Sequence, residues 1–225
     1  MSKLLKIIGR CAGISAEWLL ILFLLLAFAI RTYPVQTYIA KKTVLYLSNE
    51  LQTEIRIEAV EIIFFNQVLL KEFHVKDKQN KVLFDMNEIH VTLNQFVLFK
   101  DPLNIKKAKL SNGEVNLSRH PVSGEYNFQF IADYFEQDKD PDSEPTIFGI
   151  DNVELNNVDF NYDDNRIPKK EFGIDYNHIG ITNLDLNIGN FKIQDDAYTF
   201  DIGHISCSEK SGLELKDFSS IVFIN

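Results

Sequence analysis

From about residue 51 onward the apolar side chains recur at every second position, and this period most limits what the chain can fold into. Ile89, Val91 and Leu93 alternate with Glu88, His90, Thr92 and Asn94. Val153 and Leu155 alternate with Asn152, Glu154 and Asn156, and Val158, Phe160 and Tyr162 with Asp159 and Asn161. Leu184, Leu186 and Ile188 do the same against Asp185 and Asn187. Successive side chains of a strand point to opposite faces, so each stretch predicts a strand with one apolar and one solvated face. Asn112-Gly113 has the composition of a type I′ hairpin turn, and Asn156-Asn157 and Gly189-Asn190 read as two more. Short strands joined by tight turns predict an antiparallel meander.

Two stretches echo one another. IKKAKLSNGEVNL (105–117) aligns without gaps on IDNVELNNVDFNY (150–162). Ile105 matches Ile150, Ala108 matches Val153, Leu110 matches Leu155, Asn112 matches Asn157 and Val115 matches Phe160. A fixed offset of this kind points to a repeating β unit. Between the copies lies an acidic loop, residues 136–146, preceded by a short helix predicted over 127–135. Asp138, Asp140, Asp142 and Glu144 mimic the start of a calcium loop. Ser143 and Gly149, however, stand where that loop needs its Gly and its Glu. The stretch reads as solvated.

Helices are scarce in the body, yet a sheet with one apolar face must cover that face with something. Two solutions stay open: the sheet closes on itself as a sandwich, or it curls into a trough that holds apolar material. In the trough, Ile89, Val91, Leu93, Val115, Leu117, Val153, Leu155, Val158, Phe160, Leu184, Leu186 and Ile188 are expected to line one continuous apolar surface.

The N-terminus is different in kind. Residues Trp18–Ile30 read WLLILFLLLAFAI, thirteen residues without a charge. Trp18, Leu19, Leu20, Ile21, Leu22, Phe23, Leu24, Leu25, Leu26, Phe28 and Ile30 are the side chains expected to anchor it in a membrane. Thirteen helical residues span only ~20 Å against a hydrocarbon core of ~30 Å. Reaching full length takes the helix back through Glu17 to Cys11. A cleaved signal peptide is the competing reading, since Ala27-Phe28-Ala29 has the small-x-small pattern of a cleavage site. Lys3, Lys6, Arg10, Arg31, Lys41 and Lys42 against Glu17 give residues 1–42 a net +5, so the chain's −9 leaves −14 for residues 43–225. Either reading keeps the positive end in the cytoplasm and sends the body across. From Pro34, Val35, Tyr38, Ile39, Lys42, Leu45 and Tyr46 recur at helical spacing. This predicts an amphipathic helix over 34–51 that either caps the β region or lies on the membrane, two roles that are compatible.

The strongly acidic body would repel phosphate backbones, so nucleic acid is not an expected partner. Cys11 and Cys207 make no disulfide framework and no zinc-binding spacing. No phosphate-binding loop, nucleophile elbow or metalloprotease helix occurs. His74, His90, His120, His178 and His204 read as solvated surface residues. Neither an enzyme nor a cofactor is expected.

The stretch from Pro34 to about Phe135 resembles the N-terminal region of the TamB/AsmA-like family of bacterial envelope proteins, in its Bacteroidetes-type form. The likeness is carried by Gln36-Thr-Tyr38-Ile-Ala40, Tyr46-Leu-Ser48, Ile55-Arg-Ile57, Val60-Glu-Ile62, Phe64-Phe65, Leu70 to Phe73, Val75 and Asp77, then Asn127-Phe128 and Phe130-Ile131. Gly212-Leu213 with Leu215 looks like a later piece of the same pattern. The resemblance implies a mainly β protein: a transmembrane signal-anchor (1–33), a capping helix (34–51), a first β-groove unit (52–135), the acidic loop and a second, truncated unit (147–225). It implies an inner-membrane, single-pass protein with a periplasmic body and a groove of the β-taco kind. It further implies phospholipid as the bound or conducted partner, and an outer-membrane β-barrel met through a missing C-terminal region. A module that assists outer-membrane protein assembly around a dry β core is the alternative.

Overall fold

Residues 32–63, 66–94, 105–137, 150–194 and 197–224 are described by the computed structural model. The predicted anchor and most of the acidic loop lie outside them. No helix among the described residues is long and apolar enough to cross a membrane. The described residues are mainly β and form a single open, curled sheet of nine strands. Helix α1 (Tyr33–Glu50) precedes β1 (Ile55–Arg56), β2 (Ala59–Ile63), β3 (Gln67–Lys76), β4 (Val82–Leu93) and β5 (Ile105–Arg119). Helix α2 (Gln129–Gln137) follows, then β6 (Asn152–Asp164), β7 (His178–Gln194), β8 (Ala197–Glu209) and β9 (Glu214–Ile224). Spatial order is sequence order, with β1 and β2 both laid along β3.

One pair departs from the expected antiparallel meander: β5 and β6 run parallel. Parallel neighbours need a crossover of a dozen residues or more, and residues 120–151, including α2, supply it. Every partner pair across this junction has the same offset, Ala108 with Val153, Leu110 with Leu155, Val115 with Phe160 and Leu117 with Tyr162, each differing by 45. The internal echo of the sequence is therefore an in-register parallel pairing. Like side chains stack on like, including Asn116 and Asn161, whose amides hydrogen-bond at 2.9 Å.

The three expected hairpin turns are corrected as well. Asn112-Gly113 lies in the middle of β5, Asn156-Asn157 in the middle of β6, and Gly189-Asn190 within β7. Asn112, Asn157 and Asn183 take φ of 54°, 52° and 51°, and Glu72 of β3 takes 50°. Asn tolerates this left-handed region inside a strand because its short polar side chain bonds locally. Asn157 donates to Asn112 Oδ1 at 2.9 Å, and its own N–H reaches Asp185 at 2.8 Å. These residues interrupt the alternation at one level of the sheet. Inward apolar positions step by three there, as Leu70 to Phe73, Met86 to Ile89, Leu155 to Val158 and Ile181 to Leu184. These interruptions lie close to one level on β3 to β7 and together make a crease. Met86 and Val158, both fully buried, and Ile89 form the core at that crease.

Gly113 sits in the crease for lack of room. A Cβ there would lie 2.0 Å from the Asp85 carbonyl oxygen and 2.7 Å from Met86 Sδ. At Gly189 a Cβ would meet nothing nearer than Asn152 Nδ2 at 3.6 Å. Gly113→Ala is expected to cost about 3 kcal/mol by forcing backbone apart, and Gly189→Ala under about 1 kcal/mol. Urea midpoints of the two variants check the contrast.

The β6–β7 connection is held by carboxylates. Arg166 donates to Asp164 through Nε at 2.8 Å and Nη2 at 2.6 Å, and this pairing holds the carboxyl down at about 2 against the ordinary 3.8. Asp175 is lowered chiefly by the Lys170 N–H, with Asn177 N–H and His178 adding to it. Contrary to expectation, His178 is no surface residue: it is 2% exposed, with Nδ1 2.9 Å from Asp175 Oδ2. Asp164 binds its proton less readily folded than unfolded. It therefore stabilises the fold above the unfolded value, and that contribution is lost as pH falls through about 2. Thermal midpoints should drop across this acid window, and Asp164→Asn should flatten the drop.

Candidate functional site

Residues directly opposite one another on paired strands share a face, so the register gives the composition of the concave side. One row reads Val68, Val91, Ala108, Val153, Ile188, Ile202 across β3 to β8. The next reads Leu70, Ile89, Leu110, Leu155, Leu186, Ile205 and ends on Phe218 of β9. Beyond the crease come Phe73, Met86, Gly113, Val158 and Leu184, then Val75, Phe84, Val115, Phe160 and Ile181. All twelve positions expected to line a trough fall in these rows or beside them, Leu93 opposite Ile105 and Leu117 opposite Tyr162.

Burial along the rows is graded. Ile89, Leu93, Val158 and Leu184 are buried, whereas Val91, Val115, Leu117, Val153, Leu155, Phe160, Leu186 and Ile188 are only half-buried. Toward the far edge the apolar face opens further, and Phe218 is 49% exposed. Across β5 to β9 the convex side carries paired charges, Lys107 with Glu154 at 2.7 Å and His204 with Asp217 at 2.9 Å, and on β9 it also exposes Ile221 and Phe223.

At the β1 end the concave face deepens into a cavity of about 390 Å³. Its walls are Val44, Leu47 and Leu51 from α1 and its C-cap, Ile55, Phe73, Val75, Leu83, Phe84, Val115 and Leu117 from the sheet, and Phe128 and Ile131 at α2. Only Val115 and Leu117 among these belong to the twelve. The sequence signal for the others was available in part. Val44, Leu47 and Leu51 recur at helical spacing, and Phe73 and Val75 alternate. The cavity falls within the ordinary range for small-molecule sites, about 300–1,000 Å³, and its lining holds no titratable group to bind a polar ligand.

Helix α1 is fixed over this end by its own polar side chains. Thr37 Oγ1 accepts from the Val60 N–H at 3.2 Å and donates to the Val60 carbonyl at 3.1 Å. Gln36 Oε1 accepts from the Ile62 N–H at 2.9 Å, and Ser48 Oγ from the Ile55 N–H at 3.3 Å. These groups would otherwise be the unpaired edge of the sheet. The sheet-facing stripe is Gln36, Ala40, Val44, Leu47 and Leu51. Of the stripe that the sequence singled out, Tyr38, Ile39, Lys42, Leu45 and Tyr46 face away and are exposed, and Val35 is half-buried. The sheet-facing side includes polar residues because a sheet edge offers backbone N–H and C=O groups, which Gln and Thr satisfy and Leu does not.

The cavity's lining is apolar throughout. Among the described residues no three His, Cys, Asp or Glu side chains are grouped to hold a metal. What the site can do is surround a flexible apolar molecule. Val44→Trp places an indole in the cavity from a half-buried helix position. It should lower the affinity for a fluorescent fatty acid several-fold while circular dichroism stays that of a folded β protein; unchanged affinity would place the probe elsewhere.

The chain matches no family model and no curated protein.

Proposed function

We propose that this chain is a membrane-tethered β-groove protein of the TamB/AsmA type, anchored in the bacterial inner membrane with a periplasmic body, which binds or conducts phospholipid between membranes. The observation that carries this reading is the one-sidedness of the sheet. Apolar rows run unbroken from β3 to β8 on the concave face, and among the described residues only α1 and the segment around α2 border them, at one end. A dry core would bury such rows completely. Here Leu155, Phe160, Leu186 and Ile188 remain partly open, which favours a groove over the assembly module with a packed interior. Acyl chains suit the face because they need no hydrogen bonds and conform to an irregular trough. Each methylene taken out of water there contributes about 0.8 kcal/mol. The sequence resemblance supports the same reading.

A charge on the groove is the direct test, and its position matters. Val158 is fully buried at the crease, so an Asp there disrupts the core whatever the groove holds. Leu186 is half-buried and farther along the rows. Full-length protein purified in mild detergent should carry phospholipid detectable by native mass spectrometry. Leu186→Asp should lose most of it with the fold retained. A folded, lipid-free wild type overturns the proposal.

A further inference from the structure

We infer that the outward face of α1 lies flat on a lipid bilayer, so that the helix is both the lid of the sheet edge and its contact with the membrane. This rests on the membrane tether of the proposed function and adds to it the orientation of the groove. Tyr38, Ile39, Leu45 and Tyr46 are 64%, 50%, 56% and 59% exposed, a concentration of large apolar side chains on one helix. At 3.6 residues per turn, Tyr38, Lys42, Leu45 and Tyr46 share one side, with Ile39 at its flank. The opposite stripe is already committed to β1 and β2 through Gln36, Thr37 and Ser48. Nothing in the sheet can use the outward one.

Its composition points to a lipid surface. Tyr and Lys carry an apolar body and a polar tip, which suits the boundary between hydrocarbon and water. Lys42 Nζ lies over the Tyr38 ring, 5.8 Å from its centroid, so the two side chains share one patch of this face. Lys41 and Lys42 are adjacent near the middle of the helix, and the nearest acid, Glu50, is at its far end. This suits anionic headgroups, although the body as a whole is acidic.

Chain length decides between a bilayer and a partner in solution. The apolar run ends at Ile30 and α1 begins at Tyr33. Three Cα steps reach at most ~11 Å, so a run held in the bilayer keeps the start of α1 within about the depth of the headgroup layer. Eighteen helical residues are ~27 Å long. Standing upright, the helix would carry Leu45 and Tyr46 out into water; lying down, it inserts all four apolar side chains. The apolar cavity, walled by the opposite stripe, then sits one helix thickness, about 10 Å, from the lipid.

The test uses the full chain with Cys11→Ser and Cys207→Ser, reconstituted into vesicles of phosphatidylcholine and phosphatidylglycerol. A fluorophore is placed at Leu45→Cys, or for reference at exposed Lys216→Cys on β9, at the opposite edge of the sheet. Iodide quenching at 45 should be roughly threefold or more weaker than at 216, and nitroxide-bearing lipid should quench 45 alone. Equal iodide quenching in protein that floats with the vesicles overturns the inference and leaves the tether standing. Failure to float overturns both. A label at 45 shielded from iodide and from lipid nitroxide marks a face covered by protein, such as a second copy, and also overturns it.

Discussion

The fold depends on a row of left-handed residues that crosses the sheet near its middle. Strands of up to 17 residues with one apolar face would stack into a twisted ribbon if alternation ran unbroken. Instead Glu72, Asn112, Asn157 and Asn183 take positive φ close to one level, β4 steps by three there from Met86 to Ile89, and Met86, Ile89 and Val158 pack together as the core. From β3 to β6 the pairing keeps its register through the interruption because neighbours break at the same place, whereas β6–β7 and β7–β8 slip beside it. On either side of the crease Met86 faces Gly113 and Glu88 faces Ser111, with no slip between. The in-register parallel junction extends this from β4–β5 into β6. An offset kept at 45 on both sides of Asn112 and Asn157 aligns one bulge on the next. Crease, core and concavity are therefore one feature seen at three scales.

Its edges are treated unequally. At β2 the outward N–H and C=O groups are met by Thr37 and Gln36 of α1, at hydrogen-bond distances of 2.9 to 3.2 Å. At the other side, among the described residues, β9 pairs with β8, and Ile221 and Phe223 are 64% and 72% exposed on its convex face. Covering an edge with a helix is a standard defence against strand addition. Spending the polar side of α1 on that task has a consequence for the other side, which is left with tyrosines, aliphatics and lysines that the sheet cannot use.

Much of this was legible in the sequence, and the failures share a cause. Alternation placed the strands and identified the side chains that the register sets next to one another, from Ile89 to Ile188. It failed wherever a backbone conformation has more than one use. Asn with Gly marks a type I′ turn, and Asn alone marks a left-handed bulge within a strand; residue type does not separate them. Spacing does. Leu110 to Gly113 and Leu155 to Val158 step by three and then resume alternation in the same sense, whereas a hairpin reverses the chain. The repeat at offset 45 was visible as an echo, but its meaning, one copy lying parallel on the other, depends on a crossover that composition does not specify. The burial of His178 was invisible for a similar reason: Asp175, three residues earlier, becomes its partner only once the β6–β7 connection closes.

A single curled layer leaves a physical problem that a sandwich does not have. A second sheet brings its own register and fixed side-chain relief, and it can seat only where ridges meet grooves. The crease gives this concave face an irregular floor: fully buried at Val158, half-open at Phe160 and Leu186, and exposed at Phe218. A rigid second layer would touch the high points and leave voids, which forfeit contacts outright. Material without fixed shape or hydrogen-bonding demands fills such a surface at less cost. On the proposed reading, phospholipid acyl chains are that material, and the gradient of burial acquires a direction. The cavity walled by α1 and the sheet lies at one end, where a chain leaving a bilayer must first be held, and the half-open rows lead from it across the strands toward exposed Phe218 on β9, where it must be able to move on.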